Sequence, residues 1–269
     1  TSNIRCIGLT IETKPDWGLK EHGEEMLRFG CTRVELGIQS VYDKVLRRTH
    51  RGHGVKESIE SIRTLKDLGF KLNFHYMPGL PGLDREQDIK GMQQLFKDPD
   101  YRPDMLKVYP CLVFPGTPRY RLWKLGKFEP IDMDEAAERI AEMKRRVPEY
   151  CRIMRVQRDI PSKYSSAGPG RTNLRQYVKE RAEEKGIECR CIRCRQSKGR
   201  VKNWELIVRE YEASQGTEYF IAAEAEDKIL GFARLRLVSQ SLRPQITENS
   251  GMVRELHVYG EATAIGGQG

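Results

Sequence analysis

Five stretches in the first 160 residues share one pattern, an apolar run that ends in polar residues and is followed by a segment of helical periodicity. The runs are Ile4–Glu12, Arg33–Gln39, Lys71–Met77, Asp104–Pro110 and Cys151–Gln157. Between them, Val55, Ile59, Ile62 and Leu65 recur every three or four positions until Gly69, and Ala136, Ile140, Met143 and Val147 do so before Pro148. Strands alternating with helices predict an α/β fold with a parallel sheet, and consecutive units without a reversal predict a partial barrel. Ligands in such folds meet the C-terminal strand ends. Here those ends carry Glu12, Gln39, His75, Lys107, Tyr109, Arg155 and Gln157, which predicts a shared pocket. "MPGLPG" (Met77–Gly82) adds a tight turn where backbone can approach a ligand.

The texture changes after residue 160. Pro161–Asn173 is rich in Ser, Gly and Pro; Asn173 is placed to cap a helix that Gly186 ends. From Trp204 strand patterns dominate. Thr217–Ala225 and Lys228–Val238 predict an antiparallel hairpin turning at "EDK", and Met252–Gly260 a further strand.

Between these regions lies "CRCIRC". Three thiolates spaced as Cys189, Cys191 and Cys194 can wrap one tetrahedral ion, for which zinc is suited. A redox pair would want a thioredoxin-like strand and helix, which is missing. Cys151 is the expected fourth ligand, with water, a carboxylate or a histidine left open. Arg190, Arg193, Arg195, Lys198 and Arg200 flank the cluster, able to offset its charge and face phosphates. Cys6, Cys31 and Cys111 stand apart and read as small buried side chains.

Composition narrows the partners. With 47 Lys and Arg against 38 Asp and Glu, the 269-residue chain has a net charge of +9, which fits a polyanion such as nucleic acid. No apolar run approaches the roughly 20 residues of a membrane span, so no membrane partner is expected. No signal pattern is visible and the seven cysteines are odd in number, which points to the cytoplasm.

"CIGLTIETKPD" (Cys6–Asp16), "CTRVELGIQSVYD" (Cys31–Asp43), "RGH" (Arg51–His53), "MPGLPG", "RPDMLKVYP" (Arg102–Pro110), "RIMRVQRDIP" (Arg152–Pro161), "NLRQ" (Asn173–Gln176) and "VRELHVYG" (Val253–Gly260) together closely resemble the family of Elongator catalytic subunits. The resemblance covers almost the whole chain, in order, and best fits prokaryotic stand-alone members. It implies a partial (βα) radical S-adenosylmethionine (radical SAM) barrel over 1–160, a zinc-binding linker over 161–200 and part of an α+β GNAT acetyltransferase domain over 201–269. The implied reaction is C5 carboxymethylation of the tRNA wobble uridine, using acetyl-CoA and a 5′-deoxyadenosyl radical from SAM. Protein lysine acetylation and a non-catalytic tRNA-binding scaffold are the alternatives. Implied partners are the tRNA anticodon stem-loop, acetyl-CoA, and either a second copy or Elongator-like subunits.

The resemblance places Glu12 and Gln39 against the amino and ribose groups of SAM. Lys107 and Tyr109 would serve the acetyl donor or a tRNA phosphate, unless Lys107 merely pairs with Glu12. Arg155 and Gln157 would touch tRNA or SAM. Glu255, Leu256, His257 and Val258 match the strand whose backbone holds acetyl-CoA. The family's three-cysteine motif for the 4Fe–4S cluster matches nothing in this chain, so its ligands are expected upstream of Thr1. The glycine-rich CoA loop and later tyrosines are expected beyond Gly269.

Overall fold

The computed structural model describes residues 6–157, 164–170, 173–199 and 201–260. Ile4 and Arg5, linker residues 158–163 and 171–172, Arg200 and the tail 261–269 lie outside them.

The first strands are β1 (Leu9–Thr13), β2 (Cys31–Gln39), β3 (Lys71–Tyr76), β4 (Met105–Val108) and β5 (Arg152–Arg155). They form one parallel sheet in the order β1-β2-β3-β4-β5, the sequential arrangement of a partial βα barrel. The helices are α1 (Lys20–Arg28), α2 (Asp43–Arg48), α3 (Val55–Asp67), α4 (Arg85–Lys97), α5 (Pro118–Lys124), α6 (Met133–Lys144), α7 (Leu174–Glu184) and α8 (Ile192–Arg195). Side chains alternate across each strand. Val34, Leu36, Leu72, Phe74, Leu106 and Val108 therefore pack against Ile62, Leu65, Met92, Leu95 and Ile140 from the helices. Gly69 ends α3 at a φ of +89°, as its position predicts.

Four antiparallel strands follow in sequential order: β6 (Glu205–Ala213), β7 (Gly216–Ala225), β8 (Lys228–Leu237) and β9 (Gly251–Val258). The β7–β8 turn is the two residues Glu226 and Asp227, both in the left-handed region, as a type I′ hairpin requires. Strand β6 is an element that the sequence reading did not single out. Among the described residues no helix is long and apolar enough to cross a membrane.

Three local expectations are corrected. The first strand begins at Leu9, after exposed Cys6 and Ile7. Asn173 makes no side-chain cap; Gln157 instead accepts a hydrogen bond from the Leu174 N–H at 3.3 Å. The "MPGLPG" turn closes on protein: Gly79 donates to buried Asp88 at 2.7 Å, and a Cβ there would lie 2.8 Å from Ile131.

The two sheets meet through buried charge. From the parallel unit come Lys66, Asp67 and Asp104, and from the antiparallel sheet Glu218, Arg234, Arg236, Arg254 and Glu255, four cations and four anions in all. Arg254 grips both Asp104 oxygens at 2.7 Å and Glu218 at 2.7 Å. Arg236 bonds Asp67 at 2.7 Å and Glu218 at 3.1 Å, while Arg234 bonds Glu255 at 2.9 Å. Lys66 donates to the Arg102 carbonyl at 2.8 Å. A bulge at Arg254 turns two successive residues of β9 toward the barrel, since Glu255 pairs with Arg234 and Val253 with Leu235. Burial pushes the Asp104 carboxyl up, but Arg254 and Arg234 outweigh it and hold it well below the usual carboxylate range. Burial brings Lys66 down to about 8.

Asp104→Ala would leave Arg254 and Arg234 buried without their shared anion, an expected loss of about 3–5 kcal/mol in urea unfolding at neutral pH. Because Asp104 is depressed in the fold, its contribution is present above the unfolded carboxylate range near pH 4 and disappears as pH falls below it. A stability change under about 1 kcal/mol would show that the network does not hold the sheets together.

Candidate functional site

The polar side of the parallel sheet follows from period-two alternation. Opposite Val34, Leu36 and Ile38, strand β2 presents Arg33, Glu35, Gly37 and Gln39. Register places Glu12 and Asn73 beside Glu35, and Lys107 beside His75.

These residues form a hydrogen-bonded chain. Buried Glu35 accepts from Asn73 at 3.2 Å, bonds His75 Nε2 at 2.7 Å and accepts from Lys107. His75 Nδ1 lies 3.3 Å from the exposed Glu12 carboxylate, and Tyr109 stands edge-on to the imidazole with ring centres 5.3 Å apart. Burial raises the Glu35 carboxyl, yet the hydrogen bonds from His75 and Lys107 prevail and hold it at about 2. Glu35 is thus a fixed anion orienting a cation and an imidazole at the mouth. Lys107 pairs with Glu35, not with Glu12. His75 stood among the strand-end residues of the predicted pocket without a role of its own; Glu35 did not, although it shares the parity of Gln39 and marks the same strand face.

Gln39 ends β2 in the left-handed region at φ +64°, and its buried Oε1 has no hydrogen-bond partner among the described residues. Strain and an unpaired buried acceptor at one residue are typical of a ligand contact. Its side chain borders an open cavity of about 470 Å³ with Glu12, Lys14, Trp17 and Arg51. It also borders a smaller one of about 160 Å³ with Arg51, Leu112, Phe114 and Arg119. A Cβ on Gly37 would sit 2.9 Å from both the Arg51 guanidinium and the Gln39 amide, so glycine there keeps the cavity floor open.

The other expected residues lie elsewhere. Arg155 is exposed at the end of β5, next in register to Lys107, while Gln157 is engaged at the start of α7. Glu255 belongs to the buried charge network. Leu256 and Val258 project from the exposed apolar face of the second sheet, and His257 stacks on Phe232 with centroids 5.9 Å apart. Strand β9 pairs with β8 alone among the described residues, so its outer backbone edge is open.

The sulfur ligands of Cys189, Cys191 and Cys194 all lie within 4.8 Å of one another. The Cys191 thiol is held low by hydrogen bonds from Cys189 and Cys194, and the same sharing raises Cys189. A metal would replace these shared protons, so the donor set fits a thiophilic ion. The Cys151 thiol, expected as fourth ligand, does not join the group. It is fully buried, and its backbone carbonyl instead accepts from the Ile192 N–H at 3.0 Å. The segment thereby covers the outer edge of β5 and then bonds the second sheet, where Ser197 N–H donates to the Ile229 carbonyl at 2.9 Å. Of the five flanking cations expected to face phosphates, Arg190 and Arg195 are taken up by carboxylates, while Arg193 and Lys198 are exposed and Arg200 lies outside the described residues. Arg195 is buried on Glu224 and Asp227, Arg190 pairs with Glu149 and Asp227, and Arg193 donates to the Met154 carbonyl.

The model of the radical SAM superfamily matches residues 1–94, and that of the radical SAM C-terminal domain matches residues 103–184. The tRNA uridine(34) acetyltransferase of Methanocaldococcus infernus is 42% identical over 98% of this chain and 52% of its own length. Elongator complex protein 3 of Dictyostelium discoideum is 43% identical over 98% of this chain, and that of Homo sapiens 42% over 98%. This chain spans about half the length of these relatives. The solved structure of the archaeal Methanocaldococcus infernus Elp3 with N-terminus deletion (1–46) superposes with a TM-score of 0.93 at 41% identity, over 97% of this chain and 64% of that one.

Replacing Glu35 by Gln should remove an acid-side contribution to stability. The wild-type advantage is expected to be full above pH 4.5 and to fade as pH falls toward 2, read from thermal midpoints of both proteins across that range. A pH-independent difference would contradict the depressed carboxyl.

Proposed function

The chain belongs to the radical SAM superfamily, in its Elongator complex protein 3 branch, and on that premise we propose that it modifies the wobble uridine of tRNA at C5. The observation that carries the reading is the Glu12–His75–Glu35–Lys107 chain beside the Gln39 amide oxygen, unpartnered among the described residues, on the polar face of the matched sheet. Family membership implies SAM and a 4Fe–4S cluster, which supply radical chemistry when bound. The described residues hold a single three-sulfur group, and it lies after both matched regions, so the iron–sulfur ligands are not assigned to it.

The chain's own residues bind, orient and exclude water. Glu12 and Gln39 would meet the amino and ribose groups of SAM. Lys107, fixed by Glu35, offers a cation for the carbonyl of an acetyl donor or for a tRNA phosphate, with Tyr109 closing the wall behind His75. The open edge of β9 is suited to backbone pairing with the pantetheine amides of acetyl-CoA. Arg155 and Gln157 would touch tRNA or SAM. We assign zinc to Cys189, Cys191 and Cys194, with the fourth position filled from outside the described residues, as a clip that closes the β5 edge and joins the sheets.

Anaerobic incubation of the full-length gene product with tRNA, SAM, reductant and acetyl-CoA should yield carboxymethyl-type uridine in digested tRNA, seen by mass spectrometry only when every component is present. Lys107→Ala is expected to lower the yield about 10- to 100-fold with SAM affinity unchanged, as loss of one charge-assisted hydrogen bond would. Product formed without SAM, or wild-type yield from Lys107→Ala, would contradict the assignment.

The zinc clip has its own test. Cys191→Ser should lose the bound zinc measured by elemental mass spectrometry and lower the melting midpoint by about 5–10 °C. Unchanged zinc content, or iron in its place with labile sulfide, would overturn it.

A further inference from the structure

Helix α5, which follows β4, buries none of its residues yet holds two large aromatic rings together. No residue of α5 is buried, and Leu125 just beyond it is 67% exposed. Tyr120 and Trp123 tilt against each other with centroids 5.6 Å apart. The Lys124 ammonium lies 5.0 Å from the Trp123 ring centre and 5.7 Å from that of Tyr120. Between Met105 and Phe128 the chain has five cations, Lys107, Arg119, Arg121, Lys124 and Lys127, and no acidic residue.

The contrast with other exposed helices is informative. Along α6 and α7, Arg145 pairs with Glu142, Arg181 with Glu184, and Lys185 with Glu138 and Glu142. The α5 cations have no carboxylate partner among the described residues, so their field is uncompensated. A solvated helix needs neither paired rings nor a single sign of charge.

Placement adds the decisive link. Arg119 donates to the Leu112 carbonyl at 3.4 Å, and Arg119 and Phe114 line the 160 Å³ cavity that also holds Gln39 and Arg51. The aromatic helix therefore stands at the rim of the candidate site. We propose that α5 is a docking platform for unpaired nucleotides of the RNA substrate, with Tyr120 and Trp123 stacking on bases that flank the one entering the site. Arg121, Lys124 and Lys127 neutralise the adjoining phosphates. Base stacking on aromatic rings together with cationic contact to the backbone is how single strands are held. A regular duplex hides its base faces and would engage only the cations; an acidic protein would likewise leave the rings unused.

This inference rests on the RNA-modifying reading, and binding separates the two. Fluorescence anisotropy would follow a fluorescein-labelled RNA hairpin with an open loop, and a fully paired RNA duplex of equal length, on the 269-residue chain and its variants. Trp123→Ala should weaken hairpin binding about 5- to 100-fold and duplex binding less than about twofold. Lys124→Ala and Arg121→Ala should weaken both and lower the salt slope by about 1 each. Circular dichroism melting should be unchanged, since none of these side chains is buried. Wild-type protein that binds neither RNA would sink both the reading and the platform. Hairpin binding that survives Trp123→Ala and Tyr120→Ala, or equal competition by poly-glutamate, would overturn the platform alone.

Discussion

Eight buried charges lock the two sheets of this chain against each other. Taking ions out of water is costly, and only dense mutual pairing offsets it. Here Asp104 is shared by Arg254 and Arg234, and Glu218 by Arg254, Arg236 and Lys66, so each charge has a partner. Such pairing is directional in a way that apolar packing is not. A sliding of one sheet past the other would strand an arginine without an anion. The seam thereby fixes the distance between the polar barrel face and the open edge of β9.

Within the barrel the same logic recurs on a smaller scale. Glu35 is an anion held at the floor of the mouth by Asn73, His75 and Lys107. Because its charge stays fixed down to a pH of about 2, Lys107 and His75 keep their orientation at neutral pH. Gln39 is the opposite case, a strained residue whose amide oxygen is left unsatisfied. A fold tolerates such a residue where the surrounding sheet enforces it, and a ligand is the natural partner of the orphaned acceptor.

The parallel unit was legible because period-two runs and helical spacing agree with each other from Leu9 to Arg155. Strand-end residues such as Lys107 and Gln39 were legible for the same reason. Glu35 was missed because attention to strand ends hides the middle of a strand, where alternation alone marks the polar face. The buried arginines of β8 and β9 were illegible since "LRL" and "VRE" read as exposed alternation until a second sheet covers them. A bulge at Arg254 breaks the parity that a sequence reading relies on. Cys189, Cys191 and Cys194 were legible by spacing, whereas Cys151 was named by proximity in the chain, and proximity does not set the direction of a thiol. Arg190 and Arg195 looked like part of an anion surface because their acidic partners, Glu149, Glu224 and Asp227, are distant in sequence.

In the proposed reaction the barrel face and the β9 edge would act together, with the acetyl group as the carbon source for the uridine. Acetyl-CoA labelled with carbon-13 at both acetyl carbons tests it directly, with the modified nucleoside weighed after complete digestion of the tRNA. The expected product is a wobble nucleoside that carries both labelled carbons. An unlabelled product, or label recovered on protein lysines and absent from RNA, would contradict it.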